Sequence, residues 1–170
     1  MGDEEIMAVV SDAGPLIHLS EIGGIALLQL FGIIHVPHTV LFEISKHRKN
    51  ISKEITIADH NLPELQIIEF TRKAGLEKLH SGERECLYLC RQINQSILLT
   101  DDLAVRAVAK SLQITPVGSL GIVIKVYKDS RISLAEAEQY KSDLCDISSL
   151  FVTRTIVELV IEQLHKKTGN

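Results

Sequence analysis

Two segments of the chain end an apolar run on a small hydroxyl residue followed by aspartate. They are AVVSDAGPL, residues 8–16, and ILLTDDLAVR, residues 97–106. In both, a helical pattern begins directly after the acid. One aspartate at such a junction has an ordinary use: it accepts backbone N–H bonds at a helix start and suits the positive end of the helix dipole. Capping needs one acid, and Asp101–Asp102 supplies two. Carboxylates brought together from separate strands repel one another unless protons or a cation intervene. An oxygen-only cluster suits a hard divalent ion such as Mg²⁺ or Mn²⁺.

Whether these acids meet depends on the elements that carry them. IMAVVS (6–11) and SILLT (96–100) are continuously apolar, as parallel strands buried on both faces must be. IIHVP (33–37), LQIIEF (65–70) and ITPVGS (114–119) read as further strands. Helices are expected from Pro15 to Gly23-Gly24, over 25–32, from His38 to about Lys49, over 75–94 with a break near Ser81-Gly82, and over 102–113 and 120–128. From Ser133 onward the chain reads as mostly helical, with Ile156, Leu159, Val160 and Leu164 forming a stripe, while 50–65 reads as a loop or short helix. The alternation predicts an α/β fold, a three-layer α/β/α sandwich on a mostly parallel sheet. It is expected to form one domain over 1–170, with a core at about 8–130 and a helical segment at about 133–166. All strands of a parallel sheet end on one edge, where open α/β folds bind ligands, so Asp12 and the Asp101–Asp102 pair share that edge.

Composition narrows the function classes. Hydrophobic residues are 45% and charged residues 24% of 170, an ordinary globular balance, and with aromatics at 4% and no Trp the core must be aliphatic. A formal net charge of −4 argues against a simple basic nucleic-acid binder, though not against an enzyme that gathers its acids at a metal. Apolar runs fall far short of a membrane span and the start MGDEEIMAVV is acidic, so the expected location is cytoplasmic, without a membrane partner. Cys86, Cys90 and Cys145 are odd in number with no secretory signal, which speaks against a disulfide framework. Cys86 and Cys90 share a helix face with Leu89 and Ile93 and read as small buried hydrophobes. His35 and His38 straddle Pro37, but no Cys-x-x-Cys or His-Glu-x-x-His spacing points to zinc.

Two more acids could join the edge. Glu43 sits on the third helix beside Ile44, where on its own it reads as a solvated helix residue. Glu83 follows Ser81-Gly82 at a helix start, a position favourable for the dipole alone, with Glu85 a weaker candidate on the same turn.

Read together, the segments VVSDAGPLIHL (9–19), VPHTVLFEI (36–44), HSGERECLYLC (80–90), ILLTDDLAVRAVAKSL (97–112) and ITPVGSLGIVIKVYKDSRI (114–132) resemble PIN-domain proteins. They are most similar to the stand-alone branch related to the toxin ribonucleases of toxin–antitoxin pairs, and the resemblance spans about 8–165. It implies an acidic quartet of Asp12, Glu43, Glu83 and Asp102, with the metal held by Asp12, Glu83 and the Asp101–Asp102 turn, Asp102 favoured as the direct ligand. Ser11 and Thr100 would orient carboxylates from behind. Lys46, His47, Arg48 and Lys49, with Arg84 and Arg106, would hold the RNA backbone. The implied activity is Mg²⁺- or Mn²⁺-dependent endoribonuclease cleavage leaving a 5′-phosphate and a 3′-hydroxyl. The implied partners are RNA, a cognate antitoxin and a second copy in a homodimer. Relatives often carry a hydroxyl residue directly after the first Asp, where this chain has Ala13-Gly14.

Two other readings compete. A PIN scaffold without turnover could serve as a regulatory or protein-binding module. A haloacid-dehalogenase-like phosphatase also uses strand-end Asp and Mg²⁺, but wants a second Asp where Gly14 stands. A phospho-receiver would need its acidic pair near the N-terminal strand.

Overall fold

The structure, a computed structural model, describes residues 8–47, 51–94, 97–150, 162 and 164–166. At its centre lie five short strands: β1 Val9–Ser11, β2 Ile33–Pro37, β3 Thr56–His60, β4 Ile97–Leu99 and β5 Thr115–Val117. They form one sheet in the order β3-β2-β1-β4-β5, and every pairing is parallel. Val10 stands opposite His35 on one side and Leu98 on the other. Val9, Val10, Ile34, Val36, Leu98 and Leu99 are fully buried, which explains why these strands lack polar alternation.

Among the described residues, the sheet is flanked by helices α1 Ala13–Glu21, α2 His38–Ser45, α3 Glu64–Ala74, α4 Ser81–Gln92, α5 Leu103–Ser111, α6 Ser119–Lys128 and α7 Leu134–Asp146. Tighter 3₁₀ turns occupy Ile25–Phe31 and Ile51–Lys53. Helix α4 lies across β1, β2 and β4 and buries Cys86, Leu87, Leu89 and Cys90. Helix α1 packs on α2 and α6, and α6 on α7, completing the α/β/α sandwich. Among the described residues no helix is long and apolar enough to cross a membrane.

From β1 the chain moves outward through β2 to β3, then returns to the other side of β1 with β4 and moves outward again to β5. The strand order therefore reverses between β1 and β4. At such a reversal the connections diverge to opposite sides and leave a crevice beyond the strand ends. Asp12 and Asp101–Asp102 follow these two strands.

One expected strand is a helix. LQIIEF, read as a strand over 65–70, belongs to α3, and the third strand instead comes from the 50–65 stretch expected to be a loop or short helix. A short apolar run does not distinguish strand from helix by itself. The flanks decide: Pro63 precedes the first turn, and Gly75 ends the helix in the left-handed region at φ 68°. Leu65 and Ile68 then face solvent while Thr71 is buried. Smaller differences are of length, with α2 ending at Ser45 and α4 beginning at Ser81. Of the C-terminal stripe, Ile156, Leu159 and Val160 lie outside the described residues, and Leu164 is buried.

Candidate metal centre

Asp12 is the N-cap of α1, and its Oδ1 accepts from the Ala13 N–H at 2.8 Å. Its own N–H donates to the Leu99 carbonyl at 2.9 Å, which ties the end of β1 to β4. Asp102 does the corresponding work on α5: its Oδ1 accepts from the Val105 N–H at 2.9 Å. The buried Thr100 hydroxyl bridges the two, donating to Asp12 Oδ2 at 3.4 Å and accepting from the Asp102 N–H at 3.3 Å. Ser11 works differently from expectation. Its hydroxyl donates to the Asp12 carbonyl at 2.9 Å, so it steadies the backbone and not the carboxylate.

Two further acids face the same space. Glu83 stands in the first turn of α4, where its Oε2 accepts from the His80 N–H at 2.9 Å. Glu43 reaches over from α2. A Cβ at Gly82 would crowd Val40 Cγ2 at 3.2 Å and lie in ordinary contact with Glu43 Oε2 at 4.0 Å, which places Glu43 beside the start of α4. Asp12, Glu43, Glu83, Asp101 and Asp102 line one cleft of about 670 Å³. Burial, together with repulsion from Glu83 and Glu43, raises the Asp12 carboxyl from 3.8 to about 6, against the opposing bonds from Ala13 and Thr100.

Asp101 has a separate job. Its Oδ1 accepts from the Ser119 N–H at 2.6 Å, and its Oδ2 meets the Ser119 hydroxyl at 2.6 Å and His18 Nδ1 at 2.6 Å. Both oxygens are committed to α6 and α1, so Asp101 braces the turn. Gly118 makes room for this network. A Cβ at that position would stand 2.9 Å from Asp101 Oδ1 and 3.1 Å from Arg106 Nη1, closer than side chains tolerate.

Sequence reasoning missed His18, His80 and Ser119, which lie in or beside the cleft. The basic residues are more scattered than expected. Lys46 lies over the Phe42 ring at 4.8 Å, Arg106 stands beside Gly118, and Arg84 lines a separate apolar groove with Ile67, Ile68 and Arg72. Arg48 and Lys49 fall outside the described residues. His35 and His38 do not pair with each other: His35 Nδ1 meets His60 Nε2 at 2.7 Å, and His38 meets Asp59 at 3.0 Å.

The donor set suits a hard cation. Asp12 Oδ2 has only the long Thr100 bond, and Asp102 Oδ2, Glu83 Oε1 and both Glu43 oxygens have no hydrogen-bond partner among the described residues. Among the described residues, no three His, Cys, Asp or Glu side chains already close into a ready cage. Like charges without a cation stay apart, and three of the four carboxylates, Asp12, Asp102 and Glu83, are anchored at one oxygen by the starts of their own helices.

An open, all-parallel α/β sandwich with carboxylates gathered at its strand-order reversal is the class that fold and site define. The chain belongs to the PIN-domain family: DUF3368, described as a PIN domain, matches residues 8–166. PIN domains are generally nucleases. No curated protein and no solved structure matches the chain.

Proposed function

We propose that the protein is a metal-dependent endoribonuclease whose site is the acidic cleft. The observation that carries this reading is the convergence of Asp12, Glu43, Glu83 and Asp102 on one cleft at the strand-order reversal, where burial raises the Asp12 carboxyl. A fold does not keep such a cluster for stability, because each unneutralised acid destabilises the others. Asp12, Glu83 and Asp102 would hold Mg²⁺ or Mn²⁺, with Glu43 the fourth acid facing the cleft. Bound there, the ion supplies charge neutralisation and an activated water for in-line attack on a phosphodiester.

The chain's own residues set the geometry. Thr100 keeps Asp12 and Asp102 in register, and the capping bonds from Ala13 and Val105 occupy one oxygen of each acid, leaving Asp102 Oδ2 unpartnered among the described residues and Asp12 Oδ2 with only the long Thr100 bond. The first turns of α1 and α5 bring positive dipole ends toward the entering phosphate. Lys46, Arg84 and Arg106 do not line the cleft, and with Arg48 and Lys49 they would serve as contacts for flanking strand and not for the reacting phosphate.

The likeness to toxin-type relatives extends the reading to a cytoplasmic toxin held by a cognate antitoxin and acting as a homodimer. A small neighbouring frame encoding a DNA-binding antitoxin, and a dimer mass by light scattering, are the observations expected. For the nuclease itself, single-stranded RNA incubated with Mn²⁺ should be cut, and Asp12→Asn and Asp102→Asn should each abolish the cut. Undiminished cleavage by both variants would refute the site. Metal binding without turnover on any RNA would favour a scaffold without activity.

A further inference from the structure

A second hollow, of about 670 Å³, opens between α2, α3 and α4. Leu62, Ile67 and Ile68 give it aliphatic walls, and Ile68 is 56% exposed although it is apolar. A concave site of this size, mostly apolar with a few polar groups, is the usual form of a small-molecule pocket. Ser81 lines both this groove and the acidic cleft, so the first turn of α4 is their shared wall. The charged side chains of the groove differ in how they are met. Glu85 accepts a hydrogen bond from the Thr39 hydroxyl. Arg84 has no such partner: among the described residues its side chain makes no hydrogen bond or ion pair, and its Nε is closed off from water. A guanidinium cannot shed its proton, so the cost of that orphaned donor stands until an acceptor arrives. Arg84 as a whole is half-buried, and its long stem can turn the Nε edge toward an incoming ligand.

Three features choose the occupant. None of the residues lining the groove is aromatic, so a nucleobase finds no ring to stack on. Arg72 and Arg84 stand against Glu64, Glu77 and Glu85, a balance that admits one negative charge and repels a dianionic phosphate. The aliphatic walls reward an aliphatic body, whose burial drives entry. The geometry points to a binding site for a small amphipathic carboxylate, an aliphatic chain with one anionic head. The head takes N–H bonds from Nε and Nη of Arg84 together, the paired geometry that a guanidinium offers a carboxylate, and the tail lies along Ile67 and Ile68. This site needs no metal and stands independently of the nuclease reading. Arg84 also counts among the contacts for flanking strand, so an occupied groove withdraws one of them.

The test is isothermal titration of the full chain, in EDTA at pH 7.5, with octanoate, 1-octanol, octylamine and acetate. Octanoate should bind about tenfold tighter than octanol, the scale of one charge-assisted hydrogen bond, while octylamine and acetate should not bind. Arg84→Met, which keeps an apolar stem and removes the charge, should erase that tenfold difference without weakening octanol. Arg84→Lys, which keeps the charge and loses the paired donors, should retain part of it. Ile68→Ser, at an exposed position, should weaken octanoate and octanol alike. Urea unfolding of each variant reports the fold directly. Octanoate bound no tighter than octanol, or an octanoate affinity unchanged in Arg84→Met or in Ile68→Ser, would overturn the inference. Absence of octanoate binding by the wild type would overturn it as well, and each of these results leaves the nuclease reading intact.

Discussion

Replacing Asp12 by asparagine should stabilise the metal-free protein while destroying its proposed activity. The folded state holds this carboxyl at about 6 against an ordinary 3.8, chiefly by burial and then by Glu83 and Glu43. An acid raised on folding contributes no penalty below pH 3.8, where both states keep the proton. Between pH 3.8 and 6 the unfolded chain ionises first, so stability falls as pH rises, and above 6 the full penalty remains. A shift of roughly two units corresponds to about 3 kcal/mol. Asparagine keeps an oxygen to accept from the Ala13 N–H, so the cap of α1 survives. The variant should match the wild type near pH 4 and exceed it by up to about 3 kcal/mol at pH 7.5, or roughly 6–12 °C in melting temperature. Mn²⁺ should raise the wild-type midpoint and leave that of the variant nearly unchanged. Urea unfolding with EDTA or Mn²⁺ across this pH range measures both effects. A difference that does not depend on pH, or equal Mn²⁺ stabilisation of both proteins, would refute the electrostatic reasoning.

Asp102→Asn preserves the bond from Val105 N–H and should leave stability within about 1 kcal/mol by thermal melting, while RNA cleavage is lost. Gly118→Ala places a methyl 2.9 Å from Asp101 Oδ1 and 3.1 Å from Arg106 Nη1, so it should cost roughly 1–3 kcal/mol in urea unfolding and lower cleavage as the turn shifts. Burial drives the Cys86 thiol well above its usual range and Cys90 up to about 12. A thiol reagent at pH 8 should therefore modify the half-buried Cys145 first, and peptide mapping would show the order.

The sheet edge was legible because two strands repeat one pattern, apolar run, hydroxyl, aspartate, helix. Parallel topology then brings the two copies together without any further information. Gly82 and Glu43 were harder to place, since their meeting depends on how α2 packs against α4. The swap of strand for helix around 56–74 arose because TIADH is a half-exposed edge strand and carries no strong apolar run, while LQIIEF carries one. Pro63 and Gly75 were the better guides. The bonds that hold Asp101 could not be read locally, because they come from His18 and Ser119, which lie 83 and 18 residues away in the chain.

The caps of α1 and α5 tie the aim of the site to the joint between strand and helix. Each of Asp12 and Asp102 is held by the first N–H groups of the helix it starts, so its free oxygen points where that helix begins. A residue inserted between strand and helix would turn the acid by about 100° around the helix axis, even if every core contact reformed. Length, more than composition, is thus the guarded property of the SDAGP and TDDLA joints. Here a deletion or insertion should be more damaging than most substitutions, even at the TDDLA joint, whose Asp102–Ala104 stretch is exposed and where loops ordinarily tolerate such changes.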